Sequence, residues 1–189
     1  SLLTVLVIFL VSYVIFDSNI YDELYSKIEV TAHRGNSTVT MPNTIPAFKE
    51  AIKEGADYGE LDVRQTKDNV IVVTHDASLK EMTGQDINVR DLTYEELQKI
   101  PCIEVNGNKC TVPKLEDVIN VCKGKIKLNI EIKTGNNDSE DFVSDIVKII
   151  ENTDFVDKCV VTSLDYRALR KVKECNPKIK TGYIMAVAM

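Results

Sequence analysis

The sequence predicts an α/β protein on a parallel sheet of TIM-barrel type, incomplete in this chain and preceded by a hydrophobic helix. Three observations lead there. Short runs rich in Val, Ile and Thr alternate with segments whose apolar residues recur at helical spacing, the pattern of βα units in a parallel sheet. Ionisable residues gather at the ends of those runs: His33-Arg34, Glu60 and Asp62, His75-Asp76, Glu131 and Lys133. In a parallel barrel the reacting groups come from the C-terminal ends of several strands. A chain of 189 residues is also long enough for one domain with a real core plus an appendage.

The appendage comes first. Leu2–Phe16 is apolar apart from Thr4, Ser12 and Tyr13. The run is shorter than the roughly 20 residues a spanning helix needs. Because the chain begins at Ser1, it reads as the end of a transmembrane helix cut from a longer hydrophobic segment. It lacks the basic start and small-residue cleavage site of a signal peptide. Asp17, Asp22 and Glu23 precede the first lysine, Lys27, and this scarcity of positive charge favours an extracytoplasmic, membrane-anchored domain. Tyr21 and Tyr25 suit a membrane interface. Residues 1–28 are therefore assigned to the helix end and its connector, and residues 29–189 to the barrel.

Glu29–His33 is the first strand. After a loop at Asn36–Pro42, Asn43 or Thr44 caps a helix that runs to Gly55, with Ile45, Phe48 and Ile52 at helical spacing. Tyr58–Val63 and Val70–Thr74 follow as strands separated by the polar turn Thr66–Asn69. Residues 77–111 break the alternation and read as an insertion over one edge of the barrel. Within it, Thr93 and Glu96 have capping-box spacing, and Asn106-Gly107 signals a hairpin that could set Cys102 opposite Cys110. A disulfide there stays open; buried free thiols are the reading for Cys122, Cys159 and Cys175. The order then resumes with helix Lys114–Cys122, strand Lys127–Lys133 and a helix at Glu140–Asn152 capped by Ser139 or Asp138. Strand Lys158–Thr162, helix Asp165–Cys175 and strand Lys178–Met185 complete it, giving about six barrel strands by that point.

Net charge is −6 without a strong basic cluster, which argues against a nucleic-acid partner. No CxxC pair occurs, so structural zinc is disfavoured. Glu60 and Asp62 stand two apart on one strand and so share a face. Burying two like charges costs several kcal/mol each unless a cation is present. A divalent metal answers that cost, with a histidine close by. Glu131 and Lys133 share a face in the same way, and His33 and His75 are the only histidines. The plainer readings are a solvated strand face at Glu60/Asp62 and an ordinary ion pair at Glu131/Lys133. Carboxylates at mid-strand inside a barrel speak against the first.

In order, HRG (His33–Gly35), MPNT (Met41–Thr44), GADYGELDV (Gly55–Val63), TKDN (Thr66–Asn69), VVTHD (Val72–Asp76), VPKLEDVI (Val112–Ile119) and NIEIK (Asn129–Lys133) resemble the glycerophosphodiester phosphodiesterase family. The likeness runs from about Val30 to the end, and the hydrophobic start further resembles the family's membrane-anchored bacterial branch. The resemblance implies a (β/α)8 barrel that hydrolyses glycerophosphodiesters to glycerol 3-phosphate and an alcohol, using Ca2+ or Mg2+. It implies Glu60, Asp62 and Glu131 as metal ligands, His33 and His75 as the acid–base pair, and Arg34 and Lys133 as phosphate contacts. Pro42 departs from it, standing where the family has a glutamate. The family's last two βα units, with an aromatic-bearing strand end, are expected to be absent. Substrates left open are a soluble glycerophosphodiester, a lysolipid in a phospholipase D- or C-like reaction, or a teichoic acid polymer. A headgroup-binding barrel without catalysis is the reading from another class.

Overall fold

The structure is a computed structural model that describes Ile8, residues 11–14 and residues 28–185. The chain divides into two units, residues 1–30 and 31–189. In the first, Ile8 and residues 11–14 are helical and exposed. The rest of the predicted membrane helix lies outside the described residues. Among the described residues, no helix is long and apolar enough to cross a membrane.

The second unit carries the sheet. Its strands are β1 (Thr31–Ala32), β2 (Tyr58–Gln65), β3 (Ile71–Val73), β4 (Lys127–Ile132), β5 (Cys159–Ser163) and β6 (Lys180–Tyr183). Neighbours run β1-β2-β4-β5-β6, all parallel, with β3 attached antiparallel to β2. The helices α1 (Ile45–Lys53), α4 (Leu115–Cys122), α5 (Phe142–Asn152) and α6 (Tyr166–Cys175) lead into the strands that follow them. Two short helices, α2 (Lys80–Thr83) and α3 (Tyr94–Gln98), lie in the segment between β3 and α4.

Alternation along each strand decides what faces where. Leu61 and Val63 of β2 and Leu128, Ile130 and Ile132 of β4 are all buried in one cluster with Phe48, Ile119, Ile146 and Leu169 from the helices. Removing such side chains from water is the main stabilising contribution, about 1.5–3 kcal/mol for each fully buried one. The opposite face is left to polar groups. A second, smaller cluster joins Leu79, Met82, Val89, Leu97 and Cys102 of the intervening segment to Met41 and Val72. The capping box at Thr93 and Glu96 is present at the start of α3.

Several expectations need correction. Val70–Thr74 was expected to continue the barrel, but β3 is an antiparallel return on β2, so the described residues hold five parallel strands rather than six. The link from Gln65 to Ile71 is far shorter than the dozen or more residues a parallel crossover requires. Neither Ser139 nor Asp138 caps α5, whose N-cap is Asp141. Ser139 instead exchanges hydrogen bonds with the Gln65 side chain, and Asp138 accepts from the Gly135 N–H. The hairpin turn at Asn106-Gly107 forms, with both residues at positive φ. Cys102 and Cys110 are free thiols there, and burial, with Cys110 beside it, pushes the Cys102 thiol up.

Candidate active site

The site begins with a turn. One residue past β1, after His33, Arg34 (φ 57°) and Gly35 (φ 74°) both adopt left-handed backbone. A Cβ on Gly35 would lie 2.7 Å from the Ala47 backbone, so only glycine lets α1 approach this closely. The reversal aims the Arg34 N–H at Glu60 Oε2, to which it donates at 2.8 Å. It also swings the guanidinium over β2, where Arg34 Nε stands 3.5 Å from Asp62 Oδ2.

Register brings in the third acid. Asp62 of β2 lies directly beside Glu131 of β4 in the parallel ladder, and Glu60 beside Asn129. One carboxylate oxygen from each of Glu60, Asp62 and Glu131 lies within 4.8 Å of the others. Lys133 follows β4 and reaches back, its Nζ at 2.6 Å from Glu131 Oε1 and 3.2 Å from Asp62 Oδ1. Asp62 is 1% exposed and Glu60 8%. Burial, then the charge of Asp62, pushes the Glu60 carboxyl up to about 7; the Arg34 N–H opposes this only partly. Three acids against two cations leave the cluster short of positive charge.

The two histidines sit differently. The His33 ring, largely exposed, lies 3.8 Å from Glu60 Oε2. His75 leaves β3 where the hairpin returns to the level of Asp62, whose carbonyl accepts from the Thr74 N–H at 3.0 Å. The His75 ring pairs through Nδ1 with Asp76 at 2.8 Å, an arrangement that orients it. Its carbonyl accepts from Arg64 Nε at 2.7 Å. His75 lines a cleft together with Arg34, Asn43 and Glu81. The structure therefore joins His33, Arg34, Glu60, Asp62, Glu131 and Lys133 by direct contacts, and places His75 along the same cleft.

Three residues escaped the sequence reading. Asn43 looked like a helix cap, yet its amide donates to Asp62 Oδ2 at 2.9 Å and its carbonyl oxygen accepts from the Asp62 N–H. Its left-handed backbone (φ 59°) is tolerable for asparagine and turns the side chain off the helix. Glu81 approaches Arg34 at 3.9 Å from the insertion. Arg64, two residues beyond Asp62 on the same face, ties β2 to the His75 segment. Only Arg64 had a signal, its i, i+2 spacing.

The donor set fits a hard divalent cation: three carboxylates, no sulfur and no imidazole among the converging atoms. Arg34 Nε is buried without a hydrogen-bond partner, an orphan suited to an anionic oxygen entering the cleft.

A parallel α/β sheet that gathers acids, cations and imidazoles at one end of its strands defines a TIM-type protein with an acidic face that could hold a metal. The chain belongs to the glycerophosphoryl diester phosphodiesterase family, whose model matches residues 33–188. It is similar to a glycerophosphodiester phosphodiesterase of Caldanaerobacter subterraneus subsp. tengcongensis, with 36% identity over 162 residues, 84% of this chain and 67% of that protein. A lysophospholipase D of Mus musculus is 35% identical over 71% of this chain and 48% of its own length. Among solved structures, an Oleispira antarctica phosphodiesterase in complex with the product sn-glycerol-3-phosphate matches with TM-score 0.75 and 27% identity. That match covers 82% of this chain and 65% of the solved one. The chain thus spans about half to two thirds of the length of these proteins.

Proposed function

We propose that the protein containing this chain is a metal-dependent phosphodiesterase that hydrolyses glycerophosphodiesters to glycerol 3-phosphate and an alcohol. The observation that carries this reading is the buried convergence of Glu60, Asp62 and Glu131 beside Arg34 and Lys133. The three carboxylates would hold Ca2+ or Mg2+, which supplies Lewis-acid polarisation of the phosphoryl oxygens when bound. Arg34, with its orphaned Nε, and Lys133 take the remaining phosphate charge. His33 and His75 share the proton work: one ring removes a proton from the nucleophile, either water or the neighbouring glycerol hydroxyl with water then opening the cyclic phosphate, and the other delivers one to the leaving oxygen. Asp76 holds His75 in one orientation for that task.

The similarity to a lysophospholipase D supports a second substrate reading, a lysolipid cleaved at the same phosphodiester. The apolar stretch Leu2–Phe16 supports a membrane tether, and the acidic flank Asp17, Asp22 and Glu23 ahead of Lys27 supports a barrel outside the cytoplasm. Full-length protein recovered with membranes should hydrolyse glycerophosphocholine and lysophosphatidylcholine at unequal rates. A chelator should abolish both activities, and added Ca2+ or Mg2+ should restore them. Undiminished turnover in chelator would exclude the metal, and full recovery in the soluble fraction would exclude the tether.

A further inference from the structure

The cleft that holds Arg34 and His75 draws two of its walls from separate segments. Met41, Pro42 and Asn43 come from the loop between β1 and α1; Ser78, Glu81 and Met82 come from α2 and the turn before it. Both walls bear on the acid cluster. Asn43 donates to Asp62 Oδ2 at 2.9 Å, and Glu81 stands 3.9 Å from Arg34. A shift of one wall against the other would therefore change how Asp62 and Arg34 are held.

The hairpin around Asn106-Gly107 reaches both segments. At its tip, Asn106 Nδ2 donates to the Val39 carbonyl at 2.9 Å, two residues ahead of Met41. On its incoming arm, the Ile103 N–H donates to the Met82 carbonyl at 2.7 Å. Cys102 adds apolar packing, 7% exposed in one cluster with Met41 and Met82. The hairpin is thus a brace between the two walls, and its rigidity bears on the loop that carries Asn43.

The brace closes on a pair of thiols. The Cys102 N–H donates to the Cys110 carbonyl at 2.9 Å, and Val105 bridges Asn108 nearer the turn. Residues paired in this way across antiparallel backbone have Cα atoms about 5.5 Å apart, inside the range a disulfide spans. The two thiols already interact side by side. Cys110 is only half-buried, packed at the edge of the same cluster.

We propose that Cys102 and Cys110 form a redox clasp, closed by a small-molecule disulfide, that locks the brace and steadies the loop bearing Asn43. Cys110 meets the oxidant first, because Cys102 is buried and its thiol is held protonated by that burial. The Cys110 thiolate attacks one sulfur of the incoming disulfide, giving a mixed disulfide and one released thiol. The Cys102 sulfur then displaces the second thiol from Cys110. Two cysteines lose two electrons and two protons, and one disulfide is reduced to two thiols that take them up. A dithiol reductant reverses both steps.

Full-length protein incubated with oxidised glutathione, or with dithiothreitol, tests the clasp against Cys110→Ala. That variant is chosen because Cys110, unlike Cys102, is not fully buried. Cys175→Ser, an exposed position, is carried in both backgrounds to keep chains from linking to one another. Peptide mapping after alkylation should find a link between Cys102 and Cys110 in the oxidised protein, and none in Cys110→Ala. Amide hydrogen exchange over residues 36–43 should slow at least ~threefold on oxidation, return with dithiothreitol, and stay constant in Cys110→Ala. Failure of the link to form in excess oxidant, or a complete link with unchanged exchange over residues 36–43, overturns the clasp. If Cys110→Ala does not fold, the reversal by dithiothreitol decides the question in its place. Exchange is read without substrate, so the outcome stands apart from whether the protein cleaves a phosphodiester.

Discussion

The two faces of β2 and β4 follow opposite rules although their residues alternate along the same backbone. Outward, Leu61, Val63, Leu128 and Ile130 are fully buried among helices. Inward, Glu60, Asp62 and Glu131 crowd three carboxylates together beside Asn129, with Glu60 and Asp62 nearly closed to water. The outward face is what apolar burial produces unaided. The inward face opposes folding: two buried acids stand side by side, eased by Arg34 and Lys133 but not neutralised. A sheet accepts such a face only where the other supplies enough stability, and an arrangement that costs stability without aiding the core points to function.

The contrast can be broken from the inward side first. His33→Ala or His75→Ala should lower turnover by at least ~100-fold, the scale of general acid–base catalysis, while thermal melting stays near wild type. Near wild-type rates in either variant would remove that histidine from the proposed mechanism. From the outward side the effects should invert. Leu61→Ala should cost about 2–5 kcal/mol in denaturant unfolding with kcat largely kept, because it opens a cavity behind the sheet rather than in the cleft. A collapse of kcat at unchanged stability would show that the two faces are not separable.

A smaller effect sharpens the comparison through pH. Glu60 in the folded, metal-free protein titrates at about 7, above its ordinary value of 4.5. The folded state therefore binds this proton more tightly than the unfolded chain does, and stability falls as pH rises through that window. Chelated protein should melt several degrees lower at about pH 7.5 than at about pH 5, and Glu60→Gln should flatten the difference. Identical melting at both values in the wild type would contradict the charge deficit inferred for the cluster.

Much of this was legible in the order of residues. The spacing of Glu60 and Asp62 sets them on one face whatever the tertiary fold, and Leu61 and Val63 between them announce the core. What stayed hidden was relational. An apolar run such as Ile71–Val73 reads the same in either direction, so its antiparallel return was missed although the brevity of the Thr66–Asn69 turn held the clue. The pairing of Asp62 with Glu131 depends on a register no local pattern encodes. Asn43 obeys a helix-capping preference in composition and ignores it in space, because Asp62 competes for its side chain. The hydrogen bond from Arg90 to the Asn137 carbonyl joins segments 47 residues apart.

The β2–β3 return has a consequence for how the molecule tolerates change. The turn is locked by Thr66, whose hydroxyl reaches Asp68 and accepts from the Val70 N–H, and by Asn69 in left-handed backbone. That lock fixes how many residues separate Asp62 from His75. Since side chains alternate strictly, one residue added to the turn would rotate the returning strand's side chains to the other surface. The imidazole's aim is thus governed in part by the Thr66–Asn69 bend, a place where a harmless-looking insertion would be felt as lost chemistry.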